Sequence, residues 1–305
     1  MSEKKWIKVR TSVIHLYHKT ALYYKNSKDK YILYKDSNTS FSLKRVKEEP
    51  HPILYINSGD KEQAILELQD KFNAQIQIDF QKGNIAKVKE NFVNIVGETL
   101  NEPRAKSLRN LGNTVDLVIE ANSQQEDILK TLLSISEKDY TTALHSVNVM
   151  ALILIFGSYL KFPKDKVKLF GLSSLFHDLG KTQIPNEILT ANRRLSDREF
   201  SLMRAHPIKG YNLLKKFNFR DKNILRGALE HHEKLDGSGY PYGTKNISEI
   251  GQIMSIIDIY EAITNDDRPY RNAMEPMKAL EILKKEQMNK KINKEFFEKF
   301  AYSLL

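Results

Sequence analysis

The 305-residue sequence predicts a small α/β domain over residues 1–122 followed by an all-α domain over residues 123–305. Three observations carry that reading. Up to about residue 60 the chain alternates short β-branched and aromatic runs with turn-rich pieces; from Gln125 onward nearly every segment has helical periodicity; and one Gly-rich loop, DGSGYPYGTKN from Asp236 to Asn246, interrupts the helical part. The length is enough for two units with cores of their own.

Taken in order, Val9–Leu16, Tyr31–Tyr34 and Ile53–Ile56 read as strands, separated by KNSKDK and KDSNTS. Asp60 is placed to cap the following helix, KEQAILELQDKF, in which Ile65, Leu68 and Phe72 recur at helical spacing. Helical character continues from Ile85 to Leu111, and NEPRAKSLRNLGN reads as a turn with a short helix. Ala121–Gln124 resemble a junction. Beyond it, helices are expected at about 125–135, 139–160, 165–178, 187–191, 196–215, 220–232, 247–265 and 274–303.

Cysteine is absent, which excludes disulfides and thiolate metal sites. A metal would need histidine, carboxylate or water ligands, the donor set of iron, manganese or zinc. The N-terminus lacks an apolar run of secretory length. The longest apolar stretch, Val147–Leu160, is short for a bilayer span and reads as a core helix, so a cytoplasmic protein with no membrane partner is expected. The net charge of +10 is spread through mixed-charge segments. No Arg/Lys stripe with interleaved aromatics points to polymeric nucleic acid. Solvated surface lysines explain the excess, and a basin attracting a small anion is compatible with it.

Of the eight histidines, His15, His18 and His51 lie in the strand-rich part with no carboxylates at useful offsets, and read as structural or surface residues. His145, His177, His206, His231 and His232 lie in or beside predicted helices, with Asp178 and Asp258 as acidic companions. In LSSLFHDLGK an apolar helix runs into adjacent His177 and Asp178, and in IIDIYEA the residues Ile256 and Ile257 carry Asp258 inward. Buried groups of this kind need partners or a metal. Gly180 would let the helix end, with Lys181 reaching back toward the pair. His231 and His232, about 100° apart on a helix, are placed for both to ligate, or for one to ligate and the other to bond substrate. Alone, each residue has an ordinary structural explanation; the order and spacing of the set, ending in the glycine loop, point to a metal site.

These motifs resemble the HD-GYP family, a branch of the HD-domain metal-dependent phosphohydrolases. The resemblance rests on HDLGK at 177–181, AHPIKG at 205–210, HHEKLDGSGYPYG at 231–243, IIDIYEAIT at 256–264 and DRPYR at 267–271, and covers about residues 135 to 300. It implies an all-α HD-type helical domain and a phosphodiesterase that hydrolyses cyclic di-GMP or a related cyclic dinucleotide with two or three metal ions, commonly iron or manganese. Residue by residue, it implies that His145, His177, Asp178 and Asp258 ligate one metal. Asp178 would bridge to a second, completed by His206, His231 and His232. Lys181 would contact the scissile phosphate, Tyr240 would meet substrate from the glycine loop, and Arg268 would contact the other phosphate. Two cations bridged by a carboxylate suit in-line attack on phosphorus.

The chain departs from the family pattern in places. Thr141 stands where trinuclear members carry glutamate, so two metals and a linear product, pGpG, are expected. Glu261 replaces the usual aspartate after Asp258, Gln252 replaces an arginine, and TNDDRPYR has one extra residue before Arg268. These changes motivate an alternative: a metal-retaining signalling or scaffold protein that binds a cyclic dinucleotide or protein partner with little turnover. A phosphohydrolase of another nucleotide is compatible with the same motifs. The N-terminal domain lacks a receiver's acidic pocket and reads as a regulatory or partner-binding unit; signalling proteins of this kind often form homodimers.

Overall fold

The computed structural model describes residues 5–48, 50–125, 127–135, 141–265 and 274–305. The chain opens with β1 (Trp6–Lys8), a 3-10 turn over Thr11–Leu16, β2 (Leu22–Lys25), β3 (Tyr31–Lys35), α1 (Leu43–Glu48) and β4 (Leu54–Asn57). The four strands form one antiparallel sheet in the order β1-β4-β2-β3. One face carries Trp6 stacked on Tyr31 at 4.3 Å, with Tyr55 edge-on to Tyr31 at 5.1 Å. Ile7, Leu22, Leu54 and Ile56 are buried in the core. The strand expected over Val9–Leu16 is not formed. Strand β1 ends at Lys8, one further bond joins Val9 N to the Leu54 carbonyl at 2.9 Å, and the buried Val13 and Ile14 belong to the 3-10 turn. Their spacing from Val9 follows a helical turn rather than alternation.

Three long helices follow: α2 (Lys61–Gln81), α3 (Ile85–Asn101) and α4 (Ala105–Gln124). Asp60 occupies the N-cap of α2, but its side chain makes no capping bond. The short helix expected after the NEPR turn is the twenty-residue α4, whose last turn contains Ala121–Gln124. Buried Gln69 of α2 donates to Thr99 Oγ1 of α3 and to the Ser107 carbonyl of α4, both at 2.9 Å, and so ties the three helices together.

The remaining elements are helical: α5 (Ile128–Ser134), α6 (Thr142–Tyr159), α7 (Lys164–Phe176), a 3-10 turn at Leu179–Gln183, α8 (Asn186–Leu189), α9 (Asp197–Met203), α10 (His206–Lys216), α11 (Lys222–Glu230), α12 (Glu249–Thr264), α13 (Pro276–Met288) and α14 (Lys294–Ser303). Helix α6 is apolar all round and passes a bilayer-length test by length and composition, yet 78% of that span is buried inside the protein. It packs on α3, α5, α7 and α12, as an all-apolar core helix does.

Two helices expected as single pieces are each broken. The 196–215 segment divides at Arg204 and Ala205, because Pro207 is tolerated only in the first turn of α10. The 274–303 segment divides where Lys290 adopts a left-handed φ of 58° and Asn293 caps α14 by accepting from Phe296 N. One apolar cluster runs without interruption from Ile7, Leu22 and Ile56 through Leu68, Phe92 and Val115 to Val147 and Phe176. A second surrounds Phe156, Ile253, Ile257 and Phe300.

Candidate metal centre

Most of the candidate ligands sit at the ends of packed helices, and Asp258 lies within one. His145 lies in the first turn of α6, His177 caps the C-terminus of α7, and Asp178 opens the 3-10 turn that carries Lys181. His206 begins α10, His231 caps α11, and Asp258 lies in α12. His231 and His232 are not two residues of one helix as expected: α11 stops at Glu230 and His232 lies in the turn beyond. The turn still brings their rings within 4.2 Å of one another.

Gly180 has a different role from the one expected. Its φ is not left-handed. A Cβ there would lie 1.9 Å from the His206 carbonyl oxygen and 2.5 Å from Gly210 N. Glycine is what allows the Lys181 turn to touch α10 and brings His206 to Asp178.

These side chains, buried except for the half-buried His232, form two groups whose ligand atoms lie within 4.8 Å of one another, His145–His177–Asp178 and His206–His231–His232. Asp178 joins them. Its Oδ2 is 3.4 Å from His177 Nε2 and 3.6 Å from His145 Nε2; its Oδ1 is 3.3 Å from His206 Nε2 and 3.9 Å from His231 Nε2. Asp258 Oδ1 lies 3.0 Å from His145 Nε2, and its Oδ2 lies 3.9 Å from His232 Nδ1.

The hydrogen bonds on the far side of the rings assign their tautomers. The Nδ1–H of His177 donates to the Ser174 carbonyl at 2.6 Å, that of His206 to Met203 at 2.8 Å, and that of His231 to Gly227 at 3.1 Å. A carbonyl only accepts, so whenever such a ring is neutral its Nε2 presents a lone pair to the cluster. His145 donates from Nδ1 to the carboxylate of Glu261, which also receives Asn148 and Asn265 at 3.0 and 2.8 Å.

Facing nitrogens are 3.1 Å apart for His145–His177 and 3.0 Å apart for His206–His231. Two nitrogens bound at right angles about 2.1 Å from one ion are separated by about 3 Å, so this spacing suits a cation between them. Asp178 Oδ1 is buried and has no hydrogen-bond donor among the described residues, a costly arrangement that a cation relieves. The donor set, all nitrogen and carboxylate oxygen, fits borderline to hard divalent ions.

The electrostatics divide along the same line. Burial lowers the pKa of His206 to about 4 and that of His232 to about 3, and holds His231 well below the usual range, so these rings stay neutral. For His145 burial acts in the same direction, but the Glu261 and Asp258 carboxylates outweigh it and push the ring up to about 10. Burial opposes ionisation of Asp178 and Asp258. Lys181 and His177 around Asp178, and His145 around Asp258, overcome it and hold both carboxyls well below the usual carboxylate range.

Lys181 Nζ pairs with Asp178 Oδ2 at 2.5 Å. Tyr240 stacks on His232 at 4.6 Å and 28°, and the Arg204 guanidinium carbon lies 4.8 Å from its ring centroid. The loop that carries Tyr240 is held by buried Glu233, which accepts from Tyr242 N at 2.8 Å and Thr244 N at 3.1 Å. Glu233 was legible only as the third letter of HHE, and Arg204 left no signal in the sequence.

Thr141 caps α6 by accepting from Leu144 N at 3.1 Å. Gln252 is structural: it donates to the Ile247 carbonyl and accepts from Asn293, both at 2.8 Å. Arg268, with the altered loop around it, lies outside the described residues.

The fold and this cluster define a helical protein with a histidine–carboxylate site able to hold metal ions. A family model described as HD domain matches residues 121–295, more than half of the chain. The chain belongs to the HD-domain family, in its HD-GYP-like branch.

Among relatives, the cyclic di-GMP phosphodiesterase PA4108 of Pseudomonas aeruginosa is 35% identical over 170 residues, covering 54% of this chain and 41% of that protein. The 3'3'-cGAMP-specific phosphodiesterase 3 of Vibrio cholerae is 38% identical over 127 residues, covering 41% of this chain and 27% of that one. The chain thus spans less than half the length of these two relatives. Bd1817, an HDG"Y"P protein from Bdellovibrio bacteriovorus, shares the fold over 98% of this chain and 99% of its own, with a TM-score of 0.67 and 20% identity.

Proposed function

We propose that the chain is a metal-dependent phosphodiesterase that opens cyclic di-GMP to the linear dinucleotide pGpG at a binuclear centre, with iron as the metal and manganese as the alternative. The observation that carries this reading is the Asp178 carboxylate, which turns one oxygen to His145 and His177 and the other to His206 and His231. In this reading His145, His177, Asp178 and Asp258 hold one ion, and Asp178, His206, His231 and His232 the other. Bound there, the ions would activate water and polarise the phosphate for in-line displacement of the ribose 3'-oxygen.

The chain's own residues supply positioning. Lys181 stands beside Asp178, within reach of the non-bridging oxygens of a phosphate seated over that carboxylate, where an ammonium stabilises developing charge. Tyr240, stacked on His232 and beside Arg204, offers its phenol as a substrate contact. Arg268 keeps its expected role at the second phosphate. A cyclic dinucleotide substrate suits a cytoplasmic protein, and residues 1–122 and 123–305 are taken as two domains that share the last turn of α4 and one apolar core.

The relatives' names mention both cyclic di-GMP and 3'3'-cGAMP, so both are substrates for the test. Protein loaded anaerobically with Fe(II), and in parallel with Mn(II), is assayed with each while its metal content is counted. About two ions per chain and release of pGpG are expected. Fully metallated protein that cleaves neither dinucleotide would overturn the reading in favour of a binding role.

A further inference from the structure

The cleft that opens on Asp178 and Lys181 has a volume of ≈ 460 Å³, and its opposite wall comes from the N-terminal part of the chain. That wall carries Arg10, from the segment between β1 and the first 3-10 turn, and Asn94 and Asn101 of α3. Helix α3 packs against both α6 and the Lys181 turn. At Gly97 the helix faces Ala143, where a Cβ would make an ordinary 3.6 Å contact with that of Ala143. The N-terminal part is thus seated on the site through helix packing.

The chemistry of the wall suits an anion. Among the described residues, the charged ones lining the cleft are Arg10, Lys181 and Asp178, and Asp178 belongs to the candidate metal centre. Arg10 Nε donates to Glu98 Oε1 at 2.6 Å, and its Nη1 donates to Asn94 Oδ1 at 3.2 Å. Among the described residues Nη2 makes no bond, and the side chain remains 49% exposed. Glu98 does not cancel this charge alone, because it also faces buried Lys61 at 3.7 Å. Two cations share one carboxylate, which leaves a net positive charge at the wall. A guanidinium oriented by two bonds and open on its remaining edge is prepared for a phosphate.

We propose that Arg10, with Asn94 and Asn101 beside it, holds the non-scissile half of the substrate, with the guanidinium on a phosphate oxygen and the amides on sugar or base. The N-terminal part is then a specificity wall of the active site. This inference rests on the phosphodiesterase reading above.

The test compares wild type, Arg10→Ala and Arg10→Lys, all metal-loaded, on cyclic di-GMP and on bis(p-nitrophenyl) phosphate, a diester with a single phosphate. For Arg10→Ala the ratio of kcat/KM on cyclic di-GMP to that on bis(p-nitrophenyl) phosphate falls by about 10-fold, chiefly through KM, and Arg10→Lys recovers part of it. An equal loss on both substrates would make Arg10 a structural ion-pair partner, and no loss on either would remove it from the site; both results overturn the inference. Wild-type protein that cleaves the small diester but no cyclic dinucleotide would refute the parent reading instead, and this inference with it. The two failures are distinguishable because the second appears before any variant is made.

Discussion

On one side of Asp178 an imidazole is wired to carboxylates; on the other, the imidazoles are wired to backbone carbonyls. His145 donates to Glu261 and faces Asp258, and these anions push it up to about 10. His206 and His231 donate to the carbonyls of Met203 and Gly227, and burial holds both low, His206 to about 4. A cation entering the first half displaces a proton from His145, whereas one entering the second meets rings that are already neutral. The first half gains charge complementarity from Glu261 and Asp258; the second gains rigidity from main chain that mutation cannot remove.

The largest effect is expected where the halves meet. Asp178→Ala removes the carboxylate that faces both the His145–His177 and the His206–His231 pairs, so both proposed ions leave and turnover falls by at least about 10³-fold. Metal analysis on the purified variant checks this, and wild-type metal content would break the shared-ligand picture. Lys181→Ala belongs to neither half: it keeps the metal while hydrolysis slows by about 10²-fold, and an unchanged rate would remove its role at the phosphate.

Glu261→Gln sharpens the comparison itself. It leaves an acceptor for His145 but no charge, so metal affinity falls by about 10-fold to 100-fold in the first half alone. A chelator titration should then become biphasic, and uniform weakening of both ions would contradict the division. The smallest effect is expected for Thr141→Ala, which loses the cap of α6, worth about 1 kcal/mol in a denaturant melt, with metal content unchanged. A fall in metal content would make the hydroxyl a ligand after all.

The residues that converge on Asp178 were legible in the sequence, as was the passage from a strand-rich part to a helical one, for a physical reason. His177–Asp178 and the HHE block announce themselves because adjacent polar groups after apolar helical runs require partners. Asp258 could be placed inward from Ile256 and Ile257 alone. What depends on tertiary approach was not readable. Gly180 looked like a helix stop, but its necessity comes from the His206 carbonyl. The segment Val9–Leu16 has strand-forming residues yet turns because Val13 and Ile14 must reach the core together. Arg10 carries no local mark of function; only the packing of α3 on the Lys181 turn places it at the cleft.

The uninterrupted apolar cluster from Ile7 to Ala228 has a consequence for how such a chain can be rearranged. Val115 and Val118 of α4 share that interior with Val147 and Leu172, so severing the chain near residue 122 would bare an oily seam on both fragments. The helical part that carries the histidine–carboxylate site is therefore not a cassette to be lifted onto another partner. Any change in the first hundred residues that shifts α3 would be felt at the cleft without a linker to absorb it.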